Sequence, residues 1–218
     1  LFLPSRDALI GELDALTTRY RRIWLARTDG DNPVSEWLRT RSFHADGRAF
    51  ASPLASLRLD LFLAESPVRD RPPTEIEHPV EVVFGDQVRL VGYDLGQPLM
   101  AGGAWPVTLY WQPVAPLARR YKYILGGSAE ALHATPGQRQ ATETEPYNGF
   151  LPTTLWPAGA IIVEYTGVPG TAVAAPPLLR PTLQVYDAET LQKLPVVRAV
   201  GVQAGPDPFT VVLGPGER

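Results

Sequence analysis

The residues best suited to bind something are aromatic. Trp105, Tyr110, Trp111, Tyr121, Tyr123, Tyr147 and Trp156 are crowded into residues 105–156, and rings of this kind stack on the faces of sugars. Trp105 and Trp111 share strand parity with Val107 and Leu109, which assigns them to a core. Tyr110 has the opposite parity and Tyr147 and Trp156 fall in loop-like sequence, so these three are the expected carbohydrate-binding residues. Asp86, Asp94, Glu143, Glu145 and Asp187 carry the oxygens that calcium takes. They lack the D-x-D-x-D-G spacing of a calcium loop, and isolated turn aspartates more often bond the local backbone. Glu143 and Glu145 are two apart, but nothing in the sequence holds them at the fixed separation that glycoside hydrolysis requires.

Other chemistries lack their residues. The chain has no cysteine, which removes disulfides, thiolate zinc and a cysteine nucleophile. His44, His78 and His133 each stand alone, without the paired spacing of a transition-metal site. The G-x-S-x-G elbow and the glycine-rich phosphate loops are missing as well. We therefore expect no catalytic residue, no metal site and no cofactor.

The 218 residues are 44% hydrophobic and 20% charged, a balance that supports a packed core. There are 19 glycines and 23 prolines, which points to many turns between short strands. Net charge is −3, and the first 70 residues hold ten bases against ten acids, so neither half carries a basic field for nucleic acid. Apolar runs such as Ile161–Val163 are far short of the roughly 20 residues that span a bilayer, and the expectation is a soluble piece. The chain starts at Leu1 and its single methionine is Met100, which reads as a segment cut from a longer polypeptide.

The first part reads as α/β. Leu9, Leu13, Leu16 and Tyr20 form a helical stripe over residues 5–20, with Ser5 as cap. A short strand at Ile23–Ala26 follows, then a helix opened by Asn32 and Pro33 that carries Val34, Trp37 and Leu38 inward. Asp46-Gly47 marks a turn, and Leu57, Leu59, Leu61 and Leu63 alternate with polar positions as a strand with one buried face. Two helices on so few strands imply that residues 1–65 belong to a larger domain that begins upstream. Residues 66–79 are proline-rich and aperiodic, the composition of a linker.

Residues 80–218 read as short strands. Val80, Val82 and Phe84 alternate, Gly85-Asp86 suits a hairpin turn, and Val88, Leu90 and Gly92 alternate again. Further runs at 105–112, 121–125, 161–165, 182–186 and 209–213 complete about seven strands. The expected fold is an antiparallel β-sandwich, Ig-like or jelly-roll-like, with residues 129–157 as a crossover or exposed loop. Overall the class is mostly β with an α/β N-terminal part.

A family resemblance adds context. Residues 83–95 (VFGDQVRLVGYDL), 106–112 (PVTLYWQ), 152–159 (PTTLWPAG), 185–190 (VYDAET) and 211–214 (VVLG) resemble the β-sandwich module that follows the membrane-spanning part of bacterial family-39-like glycosyltransferases. Upstream, Tyr20–Leu25 and Trp37-Leu38 are similar to the soluble segment that joins those parts. Residues 124–128 (ILGGS) depart from the family pattern, and no position matches the family's acidic catalytic residues. The resemblance implies a non-catalytic accessory region outside the cytoplasmic membrane, tethered to it through the membrane-embedded part of the same polypeptide. The parent would be a glycosyltransferase using polyprenyl-linked sugar donors. The alternative is a free-standing extracytoplasmic carbohydrate-recognition sandwich.

Overall fold

The computed structural model describes residues 6–28, 33–51, 56–97, 104–127, 141–169 and 180–214. The chain is mostly β, its sheets are antiparallel, and it divides into two compact units, Leu1–Pro67 and Val68–Arg218.

The first unit runs α1 (Arg6–Arg19), β1 (Arg22–Thr28), α2 (Pro33–Arg41), β2 (Phe43–Ala51) and β3 (Ser56–Leu63). Its three strands lie in the order β1-β3-β2, so the strand last in sequence is central. Pro33 opens α2, where its fixed φ suits the first turn, and Leu38 is fully buried. In α1 the expected stripe is only partly covered: Leu13 is buried, whereas Leu16 and Tyr20 are 40% and 47% exposed.

Two local expectations are corrected here. Asp46-Gly47 is not a turn; it continues β2, which bulges between His44 and Asp46. Gly47 sits opposite Asp60, and a Cβ there would lie 2.1 Å from the Asp60 carboxylate, so glycine is required for packing. Nor does β3 bury one face only. From Asp60 to Leu63 every side chain is buried.

The stretch expected as a linker is divided by the structure. From Val68 onward it belongs to the second unit: β4 (Val68–Arg69) pairs with the start of a later strand, at Ile161 and Ile162. Ile76 then packs on Tyr110, Ile161 and Val163. Its seat exists because residue 92 is glycine, where a Cβ would stand 2.4 Å from the Ile76 side chain.

The second unit continues with β5 (His78–Phe84), β6 (Val88–Leu95), β7 (Trp105–Pro113), β8 (Tyr121–Gly126), β9 (Ala141–Thr144), β10 (Ile161–Val168), β11 (Thr182–Asp187), β12 (Val196–Val200), β13 (Gln203–Ala204) and β14 (Val211–Val212). Six strands form one sheet in the order β12-β5-β6-β7-β10-β4, and five form another in the order β13-β14-β11-β8-β9. Gly85 and Asp86 both have positive φ, which gives the β5–β6 hairpin the primed turn that matches strand twist.

Val107, Leu109 and Trp111 of β7 are buried, and the Trp111 ring lies 6.1 Å from that of Tyr123 on β8, so aromatic packing joins the two sheets. Along β10, backbone carbonyls take hydroxyls from the neighbouring segment: Tyr147 donates to Val163 O and Thr142 to Gly167 O, each at 2.5 Å. These bonds satisfy acceptors that a sheet edge would otherwise leave open. The expected loop at 129–157 is, from Ala141 onward, packed structure. It contains β9 and two short 3₁₀ turns, and it buries Tyr147, Phe150, Leu151 and Trp156. Residues 128–140 lie outside the described residues.

Candidate functional site

The three residues expected to present rings to a sugar are buried. Tyr110 is 6% exposed, Tyr147 1% and Trp156 5%. Tyr110 lies on the face of its sheet that Ile76 covers, and its hydroxyl donates to Asp94 Oδ2 at 2.5 Å. Trp156 donates its indole N–H to Leu151 O at 3.2 Å. Tyr147 belongs to the turn Pro146–Gly149, where Tyr147, Asn148 and Gly149 all have positive φ. Periodicity had no means of showing this, because loop aromatics become buried through contacts remote in sequence. No ring of the three offers a face to a ligand.

Trp156 does share one feature with core aromatics. With Trp111, Tyr121 and Tyr123 it walls a cavity that has room for about one water molecule. That is too small for a sugar ring. Trp111, whose indole N–H is buried without an acceptor among the described residues, forms part of the wall.

The group that organises this region is Glu164, which the sequence reading missed. It is 1% exposed, within β10. Its Oε1 accepts the Tyr123 hydroxyl at 3.1 Å, and both its oxygens accept the Tyr147 backbone N–H, at 3.1 and 3.0 Å. A buried carboxylate is tolerated only where donors surround it. The signal was present in the sequence, since Ile161-Ile162-Val163-Glu164 places one charge inside an apolar run.

The remaining acids are engaged in the same way. Asp94 accepts the Glu77 backbone N–H at 2.8 Å as well as the Tyr110 hydroxyl, and Glu77 Oε2 accepts the Leu95 N–H. Glu143 accepts the Tyr186 hydroxyl at 2.6 Å. Glu145 Oε2 accepts two bonds from Arg120, at 2.9 and 2.6 Å. Asp187 accepts the backbone N–H groups of Thr190 and Glu189 and the guanidinium of Arg119, all at 2.9 Å. The Thr190 N–H and then the Arg119 guanidinium hold its carboxyl down at about 2. Asp86 occupies the β5–β6 turn. Among the described residues no three His, Asp or Glu side chains converge as a metal would need.

The first unit has its own buried acid, again missed by the sequence reading. Asp60 is fully buried in the central strand. Arg27 donates to its Oδ2 at 2.8 Å, Arg58 to its Oδ1 at 2.9 Å, and His44 Nε2 lies 3.0 Å from Oδ1. Burial by itself would raise the Asp60 pKa, but the bonds from Arg27, Arg58 and His44 together outweigh it and bring it to about 2. A carboxylate held there accepts protons poorly at neutral pH. Its three partners come from all three strands, so it ties the sheet's register together.

No protein-family model, no curated protein and no solved structure matches the chain. Among the described residues no helix is long and apolar enough to cross a membrane.

Proposed function

We propose that the chain is a non-catalytic accessory region, with a positioning or interaction role, of a larger membrane glycosyltransferase-like protein. On this reading it lies outside the cytoplasmic membrane and is tethered through the membrane-embedded part of the same polypeptide. Its second unit is a β-sandwich of Ig-like or jelly-roll-like type, preceded by a small α/β layer. The supporting observation is how the reactive side chains are used. Glu164, Asp60, Asp94 and Asp187 are each bound by donors that fix backbone or strands. The sequence resemblance over residues 83–95, 106–112 and 152–159 supplies the parent class. For the sandwich, the support is the pair of antiparallel sheets joined by Trp111 and Tyr123.

Titration calorimetry of the chain with soluble mono- and oligosaccharides tests the reading. The expected result is no saturable heat at millimolar sugar, a level where binding already requires about 4 kcal/mol. Micromolar binding that Trp156→Ala abolishes without loss of fold would favour the carbohydrate-recognition alternative.

A further inference from the structure

The register of the three-stranded sheet brings the ends of both helices to one place. Arg22 of β1 and Phe43 of β2 both pair with Leu63 of β3, so the two outer strands begin at the same end of the sheet. Each strand follows directly on a helix, α1 ending at Arg19 and α2 at Arg41. Arg19, Arg21, Arg22, Arg39 and Arg41 are therefore gathered at that end, although the first 70 residues hold equal numbers of acids and bases. The described acids at this end are Asp14, 3.3 Å from Arg41 with both side chains more than half exposed, and Glu65, which follows Ala64 where its N–H meets Arg21 O. Glu36 lies in the first turn of α2, at the other end of that helix.

Arginines in a helix's last turn complement its dipole, but Arg21 and Arg22 lie beyond α1. Apolar side chains stand among them. Leu16 is 40% exposed, Tyr20 47% and Trp24 41%. Arg19 lies 5.3 Å from the Tyr20 ring centre and Arg41 lies 5.1 Å from that of Trp37. Tyrosine and tryptophan beside basic side chains suit the headgroup layer of a membrane, where an apolar body and a polar tip are both accommodated.

We propose that this end of the first unit docks on the surface of an anionic lipid bilayer. The arginines meet headgroup phosphates, and Leu16, Tyr20 and Trp24 enter the interface. A nucleic acid would need a basic field that tracks its backbone. Here the basic charge is confined to one end of a chain of net charge −3 and sits beside an aliphatic side chain. The inference stands on this placement alone, so its failure and that of the accessory reading are separate events.

The test is co-sedimentation of the whole 218-residue chain with vesicles of phosphatidylcholine, alone or with about 30% phosphatidylglycerol, at about 50 and about 500 mM salt. Binding is expected to the anionic vesicles only, and weaker by more than about tenfold at the higher salt. Arg19→Glu combined with Arg39→Glu should weaken it by more than about tenfold with an unchanged melting temperature. If that pair melts early, Arg19→Gln with Arg39→Gln gives the same reading. No binding, equal binding to both vesicle types, or an unchanged affinity in a folded charge variant overturns the proposal. So does a single-stranded oligonucleotide that binds and displaces the protein from the vesicles.

Discussion

The Tyr123 hydroxyl of β8 donates to the Glu164 carboxylate of β10 at 3.1 Å, so one buried charge links the two sheets of the second unit. The same carboxylate holds the Tyr147 N–H, and with it a turn whose residues have left-handed backbone angles. Backbone of that kind costs energy and persists only where its surroundings require it.

Removing Glu164 should therefore cost more than a typical core polar substitution. Glu164→Leu strands the Tyr123 hydroxyl and the Tyr147 N–H, and should lose about 3–5 kcal/mol in urea unfolding. Glu164→Gln keeps an acceptor oxygen and should lose about half as much. Equal losses for the two variants would mean that charge, rather than hydrogen bonding, is what the site needs.

Trp111 is almost fully buried, its ring 6.3 Å from Phe84 and 6.1 Å from Tyr123. Trp111→Ala should cost about 3–5 kcal/mol, as large aromatic truncations in cores do. A loss under about 1 kcal/mol would remove Trp111 from the core.

Asp60 and Asp187 set the acid limit of stability. Both have folded-state values of about 2 against an ordinary 3.8, so the folded protein binds these protons less tightly than the unfolded chain does. Their contribution is complete above about pH 4 and is lost as pH falls through about 2. Melting temperature followed against pH should drop steeply in that window. Asp60→Asn or Asp187→Asn should lower stability at neutral pH and flatten the acid limb. A limb of unchanged slope in both variants would assign acid unfolding to other groups.

Residues 68–218 should fold cooperatively on their own, because the contact break falls at Pro67 and Val68. A fragment that starts at residue 80 loses β4 and the Ile76 contact and should melt at lower temperature. Identical melting of the two fragments would return residues 68–79 to the status of a linker.

Much of this architecture was legible where a signal is local. Gly85-Asp86 between alternating runs announced a hairpin, and Pro33 announced the start of α2, because turn and cap chemistry depend on the few residues involved. Asp46-Gly47 misled for the converse reason. Its glycine answers to Asp60, a neighbour on another strand, and the same dipeptide serves a turn equally well. Tyr147 and Trp156 looked exposed because their burial depends on partners such as Glu164 and Leu151 that no periodicity connects to them. Asp60 and Glu164 were overlooked although each interrupts an apolar run, since strand alternation assigns such a residue to solvent when the opposite face is not known to be covered.

The central claim is that the aromatic and acidic side chains of the second unit hold the fold rather than a ligand, and Tyr147 tests it most directly. Its hydroxyl donates to Val163 O and its N–H to Glu164, with the ring buried between them. In denaturant unfolding, Tyr147→Ala should lose about 3–5 kcal/mol, as expected of a buried aromatic. A loss below about 1 kcal/mol, together with saturable sugar binding by the unsubstituted chain that the variant lacks, would contradict the account.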